Sequence, residues 1–375
     1  MIHGYVKVAA LSPKVKVADP KYNAENIISS AKAAAAQGAR IMVFPELCIT
    51  GYTCGDLFGQ ELLLREAKAQ LFVIADQTAQ MDAVICVGLP LEYLGKLYNA
   101  AAVLHKGKIL GIVPKTFLPN YAEYYEARHF TKGMQETVAV TLRSDLTVPM
   151  GAKQLFICDS MPSLRIAVEI CEDVWSPNPP SIGHALAGAD LILNLSASDE
   201  VTGKEAYRRD LVAGQSARLV CGYIYASASD GESTQDVVFS GHSIIAENGI
   251  VLKESERFKN QTICTEIDVD KLNGERRRMS TFEPSGTQDY TVTHFTFDID
   301  ETKLTRYVDP APFVPGNKAD RDKRCEEILS IQAMGLKKRL EHTGCGHAVI
   351  GISGGLDSTL ALLVTVRAFD LLGMP

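Results

Sequence analysis

The sequence predicts an α/β fold in which helices cover a core of mixed β-sheet. Between residues 1 and about 270, apolar segments with strand character alternate with segments of helical composition and spacing. Two hairpin turns, at Lys106–Gly107 and Asn248–Gly249, require antiparallel neighbours among the strands. The sheet is therefore expected to be mixed, and on such folds chemistry gathers at the C-terminal ends of the strands.

Periodicity and turn residues define the elements in chain order. Gly38 is placed as the C-terminal stop of the first helix. In the first half the prediction is a strand at Tyr5–Ala10, a helix at Asn23–Gln37, a strand at 39–47, a helix at Glu61–Gln80, and strands at 83–91 and within 97–115. In the second half it is a strand at 164–171, a helix at 181–189, a strand at 190–198, a helix at Arg208–Leu219, a strand at 220–228 and a hairpin at 242–255.

A change of composition marks the end of this first domain. Residues 276–322 are rich in Pro, Thr and Asp, which predicts a connecting segment. A second domain then begins with a helix at 325–344, a strand at 347–352 and a helix at 359–369. The predicted organisation is a first domain at 1–275, the connecting segment, and the start of a second domain at 323–375, which we expect to be incomplete at its end.

Composition argues against several protein classes. The 375 residues carry a formal net charge of -7, which disfavours a nucleic-acid binder, and the short run Arg276–Arg278 is expected to be a solvated turn. No apolar run reaches the roughly 20 residues that span a bilayer, and the N-terminal segment lacks the pattern of a signal peptide. The nine cysteines form no CxxC pair, which fits a reducing cytoplasm. The histidines show no metal-ligand spacing, so no metal is expected in the first domain.

Three predicted strands end in reactive side chains: Glu46 in FPELCITGY, Lys115 in VPKTF and Cys171 in AVEICEDVW. The acids beside Cys171 disfavour a thiolate, so a reactive cysteine there needs a cation from elsewhere in the chain. Lys115 could supply that charge and stabilise an oxyanion, while Glu46 takes the thiol proton. Taken singly, each residue has an ordinary alternative as a turn glutamate, a surface lysine or a core cysteine.

The segments FPELCITGY, KTFLPNYAEYYE and ICEDVW resemble the three motifs of the nitrilase superfamily over about residues 1 to 270. With NLSASDEVTGKEAYRR, they resemble more specifically the glutaminase domain of the glutamine-dependent NAD synthetase family. The resemblance implies a nitrilase-like α-β-β-α sandwich that hydrolyses L-glutamine to glutamate and ammonia through a cysteine thioester.

The resemblance also implies roles for individual residues. Glu46 is then the general base, Lys115 the oxyanion partner and Cys171 the nucleophile. Glu126 is the second glutamate beside the lysine, with Glu123 as the alternative. The implied glutamine contacts are Tyr121, Ser198 and Lys204, with Glu172 and Tyr52 as second contacts. Some relatives carry arginine at the position of Lys204, and lysine keeps the charge without the planar fork.

The other motif is SGGLDST, where a glycine-rich turn opens a helix and its backbone N–H groups suit a phosphate. No lysine follows the glycines, so it is not a P-loop of the GK[ST] type, and a simple turn capped by Asp357 or Ser358 is the alternative. The string resembles the pyrophosphate loop of ATP pyrophosphatases, which implies a partial Rossmann-like domain. The implied ATP-binding residues are Ile352, Ser353, Gly354, Gly355, Leu356, Asp357, Ser358 and Thr359.

Together the two resemblances imply the N-terminal part of a carbon–nitrogen ligase with glutamine as amido donor. Ammonia from the first domain would serve the ATP-dependent amidation of deamido-NAD to NAD. The implied partners are L-glutamine, ATP with Mg²⁺, and deamido-NAD, with no cofactor for the glutaminase step, in a cytoplasmic homo-oligomer. We expect this chain alone to act as a glutaminase. The alternatives are a stand-alone nitrilase-type amidase for another small amide, and a non-catalytic oligomerisation scaffold.

Overall fold

Two β-sheets packed face to face form the centre of the first part of the chain. The structure, a computed structural model, describes residues 1–234, 236–314 and 316–374. The chain divides into two units, Met1–Arg306 and Tyr307–Pro375, and each is described by itself. The predicted domain boundaries at 275 and 322 stay a prediction.

Strands and helices alternate through most of the first unit. The strands are β1 (Tyr5–Leu11), β2 (Ile41–Val43), β3 (Val84–Tyr93), β4 (Lys96–His105), β5 (Lys108–Pro114), β6 (Val138–Arg143), β7 (Leu146–Met150), β8 (Gln154–Cys158), β9 (Arg165–Ile170), β10 (Leu191–Ser196), β11 (Gly222–Ser227), β12 (Ile244–Glu247), β13 (Ile250–Glu254), β14 (Thr262–Asp268) and β15 (Thr291–Phe295). The helices are α1 (Pro20–Ala36), α2 (Glu61–Gln77), α3 (Glu126–His129), α4 (Glu172–Trp175), α5 (Pro180–Leu186), α6 (Lys204–Leu219) and α7 (Val269–Arg278).

Strand direction decides which ends of the strands meet. The described strands form one sheet in the order β14-β1-β2-β3-β4-β5-β7-β6 and another in the order β13-β12-β11-β10-β9-β8-β15. β2 runs parallel to β3, and β4 is antiparallel to both β3 and β5, so β2 and β5 end at the same edge of their sheet. β9 runs parallel to β10, and their ends are likewise neighbours. The ends of β2 and β5, which precede Glu46 and Lys115, therefore lie at one edge of the first sheet. The ends of β9 and β10, which precede Cys171 and Ser198, are neighbours in the second sheet.

Successive side chains of a strand point to opposite faces of its sheet, so each strand contributes to two hydrophobic cores. In β1, Val6, Val8 and Ala10 belong to the cluster between the sheets, together with residues of the other sheet such as Val168 and Leu193. The intervening apolar residues pack against the helices on the outer face of the first sheet. α5 and α6 supply the same cover to the second sheet. The nitrilase-like α-β-β-α sandwich is thus confirmed, while the Rossmann-like character of the second unit stays a prediction.

Helix ends follow their capping residues. α1 begins three residues before the predicted start because Pro20 occupies its first turn and the Asp19 carboxylate accepts a hydrogen bond of 3.1 Å from the backbone N of Tyr22. Among the described residues, no helix combines the length and the apolar character needed to cross a bilayer.

Two features differ from the expectations for residues 276–322. The basic run is not a loop turn but the last turn of α7: Arg277 and Arg278 are solvated as expected, whereas Arg276 is nearly buried and donates to Asp190 Oδ1 at 3.2 Å and to three backbone carbonyls. The expected connecting segment also contains β15, which pairs in parallel with β8. Both differences arise from partners that are distant in sequence, which local composition does not report.

The second unit contains two helices among its described residues, α8 (Lys318–Thr343) and α9 (Leu356–Leu372). Asn317 caps α8, accepting from the backbone N of Asp320 at 2.8 Å, so this helix starts well before residue 325. The strand expected at 347–352 is not formed, and these residues are mostly exposed. A strand needs a neighbour to accept and donate its backbone hydrogen bonds, and the described part of this unit offers none.

Candidate active site

Lys115 is a buried cation held between two glutamates. It follows Pro114 at the end of β5, and its Nζ lies 2.6 Å from Oε1 of Glu46 and 2.6 Å from Oε1 of Glu126. All three residues are buried. Burial by itself disfavours the ammonium, but the charges of Glu126 and Glu46 outweigh it and raise the pKa of Lys115 well above its usual value. Lys115 is therefore a fixed positive charge.

Glu46 connects the two sheets. Its Oε1 also accepts a hydrogen bond of 2.6 Å from Nδ2 of Asn99, and its Oε2 accepts one of 3.0 Å from the backbone N of Ala197, beyond the end of β10. The loop that carries Glu46 passes so close to β3 that a Cβ added to Gly88 would lie 2.3 Å from the backbone N of Leu47. Glycine at position 88 thus allows this approach.

Glu126, and not Glu123, reaches the lysine. Its Oε1 also accepts a hydrogen bond of 2.8 Å from the Tyr52 hydroxyl. Burial raises the pKa of Glu126 to about 7, against the lowering effect of Lys115. The pKa of Glu123 is raised as well, chiefly by a hydrogen bond to the carboxylate of Asp199, which places Glu123 at a different part of the site.

Cys171 occupies a strained turn at the end of β9. Its φ of 44° and ψ of -100° are unusual for an L-residue, a conformation that costs of order 1 to 3 kcal/mol. Its backbone N–H donates to the carbonyl of Leu195 at 2.9 Å and to Oδ1 of Asn194 at 3.3 Å, which holds the turn against β10. Burial and the charge of Glu46 raise the pKa of the Cys171 thiol, while Lys115 lowers it. The thiol is therefore neutral until a base accepts its proton.

Each of the three acids around Cys171 has its own partners. Oε2 of Glu169 accepts from the backbone N of Ser181 at 2.8 Å, and Oε1 accepts from the Tyr223 hydroxyl. Oε1 of Glu172 accepts from the Tyr121 hydroxyl at 2.8 Å. The carboxylate of Asp173 accepts from backbone N–H groups of Ile170, at 2.9 Å, and Phe117, at 2.8 Å. Asp173 thereby ties the turn of Cys171 to the segment that follows Lys115.

The structure places the predicted glutamine contacts in three groups. Tyr121 is exposed and pairs with Glu172 next to the nucleophile. Lys204 forms an ion pair with Asp199, and its ammonium lies 5.3 Å from the centre of the Trp175 ring. Ser198 is buried beside this pair, and its hydroxyl accepts from Arg208 Nη2 at 3.4 Å. Tyr52 instead belongs with Glu126.

Several residues of the site were not singled out from the sequence. Asn99 is the clearest case, because its Nδ2 donates to Glu46 at 2.6 Å and lies 3.4 Å from Oε2 of Glu126. The others are Tyr124, Asp199 and Arg208. The available signal was a polar side chain inside an apolar strand: Asn99 stands within LYNAAAVL and is buried. Such residues need partners, and those partners are here the carboxylates of Glu46 and Glu126.

The SGGLDST segment lies on the second unit. Gly354 has a φ of 83°, and Gly355 is the N-cap of α9. The alternative in which Asp357 or Ser358 caps the helix is wrong, because both residues lie inside the first turn. The hydroxyl of Ser358 donates back to the Gly355 carbonyl at 3.1 Å. Most residues of the loop are exposed, and the backbone N of Gly355 donates to the Ser353 hydroxyl at 3.4 Å.

Comparison with curated proteins finds relatives that are named as glutamine-dependent NAD(+) synthetases. The chain is 38% identical over 383 residues to the Glutamine-dependent NAD(+) synthetase of Mycobacterium tuberculosis and 37% identical over 382 residues to that of Mycobacterium leprae. These matches cover 100% and 99% of this chain but 56% of each relative. The chain therefore spans about half the length of the curated relatives it matches.

Solved structures agree with this relationship. A glutamine-dependent NAD(+) synthetase from Cytophaga hutchinsonii matches with a TM-score of 0.63 and 32% identity, over 70% of this chain and 43% of that one. An amidase from Nesterenkonia sp. matches with a TM-score of 0.55 and 19% identity, over 74% of this chain and 96% of that one, and this similarity concerns the fold alone. Residues 7–277 match the family described as Carbon-nitrogen hydrolase. Since this match covers well over half of the sequence, the chain belongs to the carbon-nitrogen hydrolase family.

Proposed function

We propose that the first unit hydrolyses the side-chain amide of L-glutamine to glutamate and ammonia. The observation that carries the proposal is the buried lysine between two carboxylates, Lys115 with Glu46 and Glu126, whose charges act on the thiol of the strained Cys171 at the end of β9 in the facing sheet. A thiol, a base and a fixed cation are the groups that amide hydrolysis through a thioester requires. The choice of glutamine rests on the relatives, which are glutamine-dependent enzymes by name.

In the first half of the reaction, Glu46 accepts the thiol proton of Cys171 as Sγ attacks the amide carbon. The negative charge that develops on the amide oxygen is stabilised by the ammonium of Lys115. Glu46 then returns the proton to the amide nitrogen, the carbon–nitrogen bond breaks, and ammonia leaves. The product that remains is a γ-glutamyl thioester on Cys171.

In the second half, water attacks the thioester carbonyl while Glu46 accepts one of its protons. The carbon–sulfur bond breaks, the proton passes to the departing sulfur, and glutamate is released with Cys171 as a neutral thiol. Each carboxylate oxygen of Glu46 already accepts at least one hydrogen bond, from Lys115 and Asn99 on one side and Ala197 on the other. These contacts fix the base in one orientation throughout both steps.

The α-amino and α-carboxylate groups of glutamine need partners of opposite charge at the rim. Glu172, next to the nucleophile and held by Tyr121, is the proposed partner of the ammonium. Lys204, buried along its stem beside Asp199, is the proposed partner of the carboxylate, with Ser198 as a further polar contact. Glu172 begins α4 and Lys204 begins α6, and a site with one partner for each charged group would prefer an amino acid over a simple amide.

The wider role we propose is that of the glutamine-hydrolysing part of an NAD synthetase. Ammonia would be used in the ATP-dependent amidation of deamido-NAD, with residues 352–359 contacting the phosphates through backbone N–H groups. The hydroxyl and carboxylate oxygens of Ser353, Asp357 and Ser358 suit Mg²⁺ bound with ATP, because this cation prefers oxygen ligands. We propose that the protein forms a homo-oligomer and works in the cytoplasm, where a reducing environment keeps the Cys171 thiol free.

Glutamine hydrolysis by Cys171→Ala, compared with wild type, tests the proposed function. The expected loss is at least about 1,000-fold in the rate of glutamate formation, because removing the nucleophile removes the covalent route. Cys264→Ala is the matched control, since this half-buried cysteine lies on β14 away from the site. Residual activity close to wild type in Cys171→Ala would refute the assignment. Faster hydrolysis of other ω-amides than of glutamine by the wild-type chain would refute the substrate and favour a general amidase.

A further inference from the structure

We infer that Glu232 is a positioning residue of the active site, acting through Tyr52 on Glu126. Glu232 lies 180 residues along the chain from Tyr52, on a loop that no motif identified. The inference rests on the proposed glutaminase reaction. It concerns the geometry that keeps one hydroxyl group pointed at a buried carboxylate.

The carboxylate of Glu232 is bound to the loop that follows Gly51. Its Oε1 accepts from the backbone N of Tyr52 at 2.7 Å. Its Oε2 accepts from the backbone N of Thr53 at 3.0 Å and from the Thr53 hydroxyl at 2.6 Å. Three donors on two consecutive residues fix both the position and the direction of that backbone, because a carboxylate accepts along defined directions at each oxygen.

The loop that carries Glu232 is itself anchored. The backbone N of Ser233 donates to the Thr53 hydroxyl at 2.8 Å, which makes the contact between the two loops reciprocal. Gly231 has a φ of 106°, and a Cβ added there would lie 1.8 Å from the carbonyl oxygen of Val15. Only glycine fits so close to that backbone, so Glu232 projects from a firmly placed turn.

Tyr52 connects Glu232 to Glu126, because its backbone is held by Glu232 and its side chain contacts Glu126. Its hydroxyl donates to Oε1 of Glu126 at 2.8 Å, and its ring packs edge-on against Phe239, with ring centres 5.8 Å apart. Burial raises the pKa of Tyr52 well above its usual value, so the phenol keeps its proton and always donates. Phe239 belongs to the same long loop as Glu232, and it pairs with Asp199 through an isolated β-bridge.

The consequence concerns the charge of Glu126. A donated hydrogen bond favours the carboxylate form, and this carboxylate is one of the two that surround Lys115. When the backbone of Tyr52 loses its anchor, the hydroxyl samples other positions and the support of Glu126 weakens. Among the described residues, no hydrogen bond joins Glu232 to Cys171, Glu46 or Lys115, and its contacts run to the Tyr52–Thr53 segment, so its effect on Glu126 is expected to pass through Tyr52.

A double-mutant cycle tests the inference. The variants are Glu232→Gln, Tyr52→Phe and the combination of both, with Glu256→Gln as control, since Glu256 is an exposed carboxylate paired with Lys259. We measure kcat and KM for glutamine from pH 5.5 to 9, with the melting temperature of each variant. Glu232→Gln is expected to lower kcat about tenfold with KM within about twofold, and Tyr52→Phe at least as much. The combination is expected to equal Tyr52→Phe, because one effect passes through the other.

Two results would overturn the inference: unchanged kcat in Glu232→Gln, or losses that multiply in the combination. Should Glu232→Gln fail to fold, Thr53→Val removes one donor to Glu232, and the acceptor of the Ser233 N–H with it, while keeping the carboxylate. It is expected to lower kcat about threefold in the wild type and not at all in Tyr52→Phe, and any other pattern counts against the inference.

A readout that needs no turnover separates this inference from the proposed function. Alkylation of Cys171 by iodoacetamide, followed on its own peptide by mass spectrometry, reports the pH dependence of that thiol. The profile of Glu232→Gln is expected to shift from wild type in the same direction as that of Tyr52→Phe. If the alkylation profile of Glu232→Gln coincided with that of wild type, the positioning role would be overturned even if glutamine were not the substrate. Failure of the wild-type chain to hydrolyse glutamine would count against the proposed function only.

Discussion

The Lys115 ammonium lies 2.6 Å from Oε1 of Glu126, and both side chains are buried. Glu46 is at the same distance on the other side, so one cation faces two anions away from water. Two carboxylates face a single ammonium, so the cluster carries a net negative charge, which is unfavourable in a buried site. Burial accordingly raises the pKa of Glu126 to about 7. Together, the three residues form one electrostatic unit.

The first prediction concerns that unit. Lys115→Met should lower the free energy of unfolding by about 3 kcal/mol or more at pH 8, because two buried carboxylates lose their common partner. Adding Glu126→Gln to Lys115→Met should recover part of this loss, since one of the repelling charges is then gone. Urea denaturation measures both. Lys259→Met, which breaks an exposed pair, is the control. A double variant no more stable than Lys115→Met would contradict the prediction.

The second prediction concerns the approach of β3 to the loop of Glu46. Gly88→Ala should lower glutamine hydrolysis by about tenfold or more, because the new Cβ would lie 2.3 Å from the backbone N of Leu47 and displace the base. Gly274→Ala, in the interior of α7, places its Cβ in ordinary contact with the end of the Arg277 side chain at 4.0 Å, so it should leave activity unchanged and stabilise the fold by about 0.5 kcal/mol. Equal activities of the two variants would refute the steric argument.

The third prediction concerns acid stability. His184 on α5 is buried, with Nδ1 2.9 Å from the Tyr290 hydroxyl, and burial lowers the pKa of its ring to about 4. The unfolded chain, with an ordinary histidine pKa near 6.5, binds the proton first as pH falls. The stabilising contribution is therefore complete above pH 6.5 and is lost between pH 6.5 and 4, by about 3 kcal/mol.

The measurement for this third prediction is the unfolding free energy of wild type and His184→Gln at steps of pH between 4 and 7.5. The variant should lose less stability over this range, because the titrating ring is absent. Parallel curves for the two proteins would show that His184 does not titrate in this way. His294, which is exposed, provides the control variant His294→Gln.

The fourth prediction concerns the end of the first unit. Arg306 donates to both carboxylate oxygens of the buried Glu247, at 2.8 and 3.2 Å. Arg306→Met should lower the free energy of unfolding by about 2 kcal/mol and speed proteolysis near residues 300–310, because this carboxylate loses its main cation. Arg278→Met, which removes an exposed pair with Glu275, should do neither. Unchanged proteolysis in Arg306→Met would contradict the prediction.

Much of the sandwich could be predicted because its signals are local. Alternation in Tyr5–Leu11 and the Lys106–Gly107 turn each involve a few neighbouring residues, and both elements form as expected. β15 was not predicted, because the strand with which it pairs in the described structure is β8, more than 130 residues earlier in the chain. Arg276 was misread for the same reason, since Asp190 and the carbonyls that surround it are far away in sequence.

The candidate site shows the same division. The sequence by itself determined the reactive groups at three strand ends, Glu46, Lys115 and Cys171, because strand endings and residue chemistry are properties of short segments. Tertiary structure alone decided that Glu126 rather than Glu123 meets the lysine, that Asn99 donates to Glu46, and that Glu232 holds Tyr52. The physical reason is that a hydrogen bond between side chains depends on ångström distances across the fold, and periodicity along one chain segment carries no information about them.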